Sequence, residues 1–178
     1  KANHVDLLIT SPPYVTSYEY ADLHQLSSLW LGYTEDYTDL RKDSIGSQYG
    51  TDKTVQWNLS GTAKKIADQF PHNAQGVAIS RYYAQMDQVI HVCSELLKPK
   101  GICVFVIGDT EYKGIRVENA KSLAESMVRN GLVVQEISKR RIANKFLPSH
   151  RDENGKFSSN KNDRQIYSQE YIIIGRKI

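Results

Sequence analysis

Three stretches of this chain are apolar without alternation: Leu7-Leu8-Ile9, ICVFVI from Ile102 to Ile107, and YIII from Tyr171 to Ile174. A strand with one face in water alternates polar and apolar residues, whereas a strand covered on both faces does not. Runs of this kind therefore predict a sheet packed between helices. The segments between them have helical periods. Ile79, Tyr83, Met86, Ile90, Cys93 and Leu97 recur at steps of four and three, an apolar stripe along Ser80 to Leu97 that Lys98-Pro99-Lys100-Gly101 ends. Val117 to Asn130 predicts a second helix, with Val117, Ala120, Ala124, Met127 and Val128 inward and Gly131 as a left-handed cap. Tyr18 to Gly32 predicts another, with Leu23, Leu26 and Trp30 on one face and Gly32 as its stop. Leu132 to Ser138 is a further strand.

Strands alternating with amphipathic helices predict an α/β fold whose sheet is mostly parallel, with right-handed crossovers. The final strand follows its predecessor without an intervening helix, so it returns antiparallel. The 178 residues, 40% of them hydrophobic, suit one domain with a real core. Two polar segments interrupt it. Residues 33–76 form an insertion carrying Gly46, Gly50, Gly61, Pro71 and Gly76, with a helical turn expected from Ala63 to Phe70. Residues 139–164 form a basic loop between the last two strands. No run reaches the roughly 20 apolar residues of a membrane span and no signal-peptide pattern opens the sequence, so a soluble, cytoplasmic protein is expected. Cys93 and Cys103 sit inside apolar patterns, as buried reduced thiols do, and no metal site is expected.

The net charge of +3 is small, but its distribution is uneven. The segment from Lys139 to Arg164 has eight basic against three acidic side chains, which places +5 there and −2 in all the rest. Such a segment suits a phosphate backbone, and equally suits a solvated loop. Arg140, Arg141, Lys145 and Arg151 within it, with Arg41 and Lys42 in the insertion, are the candidate phosphate contacts.

The first apolar run ends in Thr10-Ser11-Pro12-Pro13-Tyr14. Paired prolines after a strand can be plain punctuation, or a polyproline peptide for a partner protein. They also fix two φ angles and remove two N–H donors, so the backbone there presents carbonyl acceptors rigidly. With the Ser11 hydroxyl before them, the turn offers two oxygens to a group with two N–H donors, such as an exocyclic amino group. Tyr14 adds a flat face for a heteroaromatic ring. In parallel sheets ligands sit beyond the carboxyl ends of the strands, which is where Ser11 to Tyr14 and Gly108-Asp109 fall.

The motif Ser11-Pro12-Pro13-Tyr14 after an apolar strand resembles the catalytic motif of the amino-methylating DNA methyltransferases, in which Ser, Asp or Asn precedes Pro-Pro and an aromatic residue. SYEYADLHQLSSLWLGY, RKDSIGS, LLKPKGICVFVIGDTEYKG and RQIYSQEYIIIGRK are similar to later segments of that family. The resemblance implies a Rossmann-like sheet and methyl transfer from S-adenosylmethionine to a base rotated out of double-stranded DNA. The Ser form points to cytosine N4 first and adenine N6 second. It implies that Ser11, Pro12, Pro13 and Tyr14 are the catalytic residues, and a bacterial setting of restriction-modification or genome marking. The same chemistry on RNA or a small molecule, and a non-catalytic fragment binding DNA or protein, are the alternatives. The family also uses a glycine-rich turn after a strand to hold the cofactor. GSQYG from Gly46 follows no strand, and GDTEYKG from Gly108 lacks close glycine spacing. The chain thus corresponds to the catalytic half of the fold, and the cofactor-binding segment of the same protein is expected outside it.

Overall fold

The computed structural model describes residues 2–15, 20–47, 58–71, 74–112, 114–142, 150–152, 157–162, 164–165 and 169–178. Strand β1 (Val5–Thr10) leads through Ser11 to Val15 into three short helices, α1 (Tyr20–Leu23), α2 (Gln25–Trp30) and α3 (Tyr37–Asp43). Helices α4 (Gly61–Ala67) and α5 (Ala74–Leu96) follow, then β2 (Leu97–Ile107). A small hairpin, β3 (Thr110–Tyr112) and β4 (Ile115–Val117), precedes α6 (Asn119–Arg129) and β5 (Leu132–Arg141). Between β5 and the last strand lie β6 (His150–Arg151), β7 (Phe157–Ser158) and β8 (Arg164–Gln165), which form a minor sheet of order β7-β6-β8; β9 (Gln169–Lys177) closes the chain.

The main sheet has the order β1-β2-β9-β5. β1 pairs parallel with β2, and β9 pairs antiparallel with both β2 and β5. Three strands therefore run one way and the last runs against them, as the sequence predicts. The returning strand also enters between β2 and β5 and so separates two strands of like direction.

One core lies on one face of this sheet. Cys103, Phe105 and Ile107 of β2 and Ile173 of β9 meet Ile79, Tyr82, Tyr83, Met86, Ile90 and Cys93 of α5 and Leu123 and Met127 of α6, all buried. The α5 stripe matches its sequence reading from Ile79 to Cys93, while Leu97 is buried but belongs to β2. On α6 the inward set is Ala120, Leu123 and Met127; Val128, expected inward, is 62% exposed, because the buried positions step by three and four from Ala120 and leave it off the stripe. Val117 is buried but belongs to β4. Both cysteines are buried and free, and burial raises the thiol pKa of each, that of Cys103 to about 11.

Three expectations are corrected. First, β1 is covered on one face only: Leu7 is 54% and Ile9 66% exposed. Register places them beside Ile102 and Val104 of β2, and with Val106, Ile172 and Ile174 these make a second apolar face that is only partly covered. The helices of the described core all pack on the other side. Second, the helix expected from Tyr18 to Gly32 is broken at His24 into α1 and α2, and Leu23, Leu26 and Trp30 are exposed. Among the described residues the cluster of α1 to α3 packs mainly on itself, so no layer covers that face. Third, β2 starts at Leu97 rather than Ile102. Leu97 pairs with Val5, the chain turns through Lys98 to Gly101 with Lys100 at φ +68°, and pairing resumes at Ile102 opposite Leu7.

Candidate functional site

The turn Ser11-Pro12-Pro13-Tyr14 leaves the carboxyl end of β1, and Gly108-Asp109 leaves the carboxyl end of the neighbouring parallel strand β2. Parallel pairing alone brings these two turns together. Ser11 is exposed, and its hydroxyl donates to the Val106 carbonyl at 3.1 Å. The proton is thereby committed to the protein, and the lone pairs of the serine oxygen are what it can offer a ligand. Pro12 is buried and Pro13 half-buried. The Pro13 carbonyl accepts a hydrogen bond of 2.9 Å from the hydroxyl of Tyr82, a fully buried residue of α5.

Tyr14 is half-buried, and its hydroxyl oxygen accepts the Gly108 N–H at 2.9 Å. Its ring lies close to that glycine: a Cβ at position 108 would stand 3.3 Å from both Cε2 and the hydroxyl of Tyr14, and 3.3 Å from the Gln169 carbonyl oxygen. The Gly108 carbonyl accepts from Nδ2 of Asn119, fully buried, at 3.1 Å, and the Tyr83 hydroxyl lies 3.4 Å from the Asn119 Oδ1 that accepts from it. Burial drives the Tyr83 pKa upward, so that phenol stays protonated. Asp109 accepts the Ala120 N–H at the start of α6 through Oδ1 (3.2 Å) and pairs with Arg116 through Oδ2 (3.2 Å). The Gly108 peptide is thus held from both sides, by Tyr14 and by Asn119. Tyr82, Tyr83 and Asn119 are residues that sequence reasoning missed. Only Tyr83 was visible, as a member of the α5 stripe, and a stripe does not announce which hydroxyl or amide reaches a distant loop.

Beside Asp109 an apolar groove of about 440 Å³ runs between α6 and β5, lined by Ala120, Ala124, Val128, Val134, Ile137 and Tyr171 with charged side chains at its rim. It does not include Ser11 to Tyr14.

The candidate DNA contacts fall differently. The Arg140 guanidinium pairs with the carboxylate of Glu170 across β5 and β9, yet its side chain is 63% exposed. Arg141, the last residue of β5, is exposed. The Lys139 ammonium stands 5.7 Å from the Tyr171 ring centroid. Lys145 and the Arg151 side chain lie outside the described residues. Arg41 is 17% exposed, bound to Asp22 of α1 at 2.6 Å and set 5.0 Å over the Tyr37 ring, so it serves the packing of α1 against α3. Lys42 pairs with Asp39 on the surface.

Among the described residues, the first glycines of the two candidate turns face neighbouring atoms rather than open space. The open side of Gly108 is taken by Tyr14 and Gln169, and that of Gly46 by the Tyr82 ring. Gly114 stands free at φ +78°, but on the β3–β4 hairpin rather than after a strand of the main sheet. Among the described residues no three His, Cys, Asp or Glu side chains gather as a metal site, and no helix is long and apolar enough to cross a membrane.

No protein-family model matches the chain, nor does any curated protein. Among solved structures it is similar to TTHA0409, described as a "Putative DNA Modification Methylase", from Thermus thermophilus: 15% identity over 99% of this chain and 47% of the other, with a TM-score of 0.45. The same protein complexed with S-adenosyl-L-methionine gives 16% identity, 99% and 48% coverage, and 0.43. The M1.HpyAVI–SAM complex gives 19% identity over 51% of this chain and 36% of the other, at 0.34. The chain thus spans about half the length of the first structures it resembles. Likenesses this distant decide neither substrate nor reaction.

Proposed function

We propose that this chain carries the amino-group-binding half of a DNA methyltransferase that methylates the exocyclic nitrogen of a base turned out of the duplex, cytosine N4 in the first place. The observation that carries the reading is the Ser11 hydrogen bond to Val106. The cytosine amino nitrogen is a poor nucleophile because its lone pair is delocalised into the ring. Acceptors on its N–H groups favour the pyramidal nitrogen of the transition state, an electrostatic effect that requires fixed oxygens. A serine whose proton is already donated is such an oxygen, and the Pro12 carbonyl is the second member we assign. Pro13, held by Tyr82, fixes the turn directly after them. Tyr14 provides the surface for the extruded base. Adenine N6 has the same two N–H donors and is the alternative target.

We assign binding of the methyl donor to a further segment of the same polypeptide. The partly bare apolar face of β1, β2 and β9 supports that assignment, because strands apolar on both faces are stable only when both are covered. The exposed Arg141 and the basic segment after β5 are assigned to DNA phosphates, in the setting of restriction-modification or genome marking. The test is transfer of labelled methyl groups from S-adenosylmethionine to duplex DNA by the whole protein, followed by nucleoside analysis. N4-methylcytosine is the expected product; N6-methyladenine selects the alternative, and unlabelled nucleosides contradict the reading.

A further inference from the structure

Tyr82 touches more than Pro13. Gly46, on the turn that follows α3, lies against its ring: a Cβ at position 46 would stand 2.9 Å from Cδ2 of Tyr82. Gly46 has φ +77°, and its N–H donates to Oε1 of Gln85, one turn further along α5, at 3.0 Å. The next residue is tied to the same helix, since the Ser47 carbonyl accepts from the Arg81 guanidinium at 3.1 Å. The chain therefore leaves the candidate site at Val15, builds the α1–α3 cluster, and returns to Tyr82, whose hydroxyl holds Pro13.

We infer that Tyr82 is a positioning residue that couples the seat of the α1–α3 cluster to the geometry of the Ser11–Tyr14 turn. A displacement of Gly46 presses on the edge of the ring at Cδ2. The ring is rigid and fully buried, and a push within its plane does not turn it about its own axis, so it yields by tilting, which moves its hydroxyl. The hydroxyl in turn carries the Pro13 carbonyl, and through the adjacent Tyr14 it reaches the Gly108 N–H. Whatever shifts the cluster, a DNA strand included, then alters the placement of the oxygens offered to the amino group. The consequence for turnover rests on the methyltransferase reading; the coupling itself does not.

Exchange of the Gly108 amide with solvent deuterium reads the coupling directly, because its partner is the Tyr14 hydroxyl. Gly46→Ala and Tyr82→Phe are each expected to speed that exchange. Gly32→Ala is the control. Gly32 also has a positive φ, +68°, but a Cβ there would meet nothing within 4 Å, so it imposes the same backbone strain without pressing on a neighbour. If the path runs through the Tyr82 hydroxyl, Gly46→Ala adds nothing further in the Tyr82→Phe background. Should Gly46→Ala not fold, Gln85→Ala loosens the same seat by removing one hydrogen bond. In the whole protein, Tyr82→Phe is expected to slow single-turnover methyl transfer on the order of tenfold to a hundredfold, with KM for DNA unchanged. Unaltered Gly108 exchange in Gly46→Ala and Tyr82→Phe, or an equal change in Gly32→Ala, would overturn the coupling. Absence of any methyl transfer by the unsubstituted protein would instead overturn the functional reading, and the exchange data would still decide the coupling.

Discussion

Removing the Tyr14 hydroxyl and removing its ring are separate experiments. Phe keeps the stacking surface and leaves the Gly108 N–H without the acceptor it has now, at a cost of about 1 kcal/mol. Ala removes both. Thermal melting is therefore expected to fall slightly for Tyr14→Phe, with methyl transfer largely kept, whereas Tyr14→Ala loses transfer far more than it loses stability. Equal transfer by Tyr14→Ala and the unsubstituted protein would remove Tyr14 from the site. At this scale the sequence was readable where chemistry is local. Ser11 to Tyr14 is one contiguous signal, and the consequence of two prolines follows from covalent geometry. The Tyr82 hydrogen bond to Pro13 and the Asn119 clamp on Gly108 join residues far apart in sequence. Their residue types also have ordinary structural uses, so nothing marked them in advance.

Helices were legible from period alone when their stripe faces the core, as in α5. On α6 a period counted from Val117 leads to Val128 and skips Leu123, whereas Val117 belongs to a strand and the buried positions count from Ala120. The short α4 depends on a contact that no local pattern reveals. Glu125 of α6 accepts the Thr62 N–H at 2.8 Å and also the Thr62 hydroxyl, so it places a negative charge at the α4 amino terminus. Burial opposes ionisation of Glu125, but the hydrogen bonds from Thr62 and Ser60 outweigh it and hold the carboxyl below its ordinary value of 4.5. A depressed carboxylate contributes stability that is complete above the unfolded value and is lost as pH falls through the folded one. Glu125→Gln is accordingly expected to lower the melting temperature at neutral pH and to flatten the decline of stability below pH 4.5. Melting curves recorded from neutral to acid pH check this; parallel curves for the two proteins would show that Glu125 contributes no such term.

On the scale of the whole molecule, the four-stranded sheet is covered on one side and partly bare on the other. The sequence predicted coverage on both, because ICVFVI and Leu7 to Ile9 carry apolar residues for two faces; it could not say which residues supply the second layer. The positive charge collects from the end of β5 onward, and there Arg141 is exposed and Arg140 is balanced by Glu170. Arg141→Gln is expected to reduce the magnitude of the salt slope of DNA binding by about 0.9, the value for one phosphate contact. Arg140→Gln is expected to change it less and to weaken the β5–β9 pairing. Titrations of the whole protein at several salt concentrations measure both, and an unchanged slope for Arg141→Gln would place that residue away from phosphate.

The central claim is that an acceptor oxygen on Ser11 promotes chemistry at an amino nitrogen. The most direct measurement is the single-turnover methyl-transfer rate of Ser11→Ala in the whole protein, with DNA affinity and melting temperature recorded alongside. Ser11 is exposed and its hydrogen bond lies at the surface, so folding and DNA affinity are expected to hold while the rate falls by about a hundredfold. A rate equal to that of the unsubstituted protein would contradict the account.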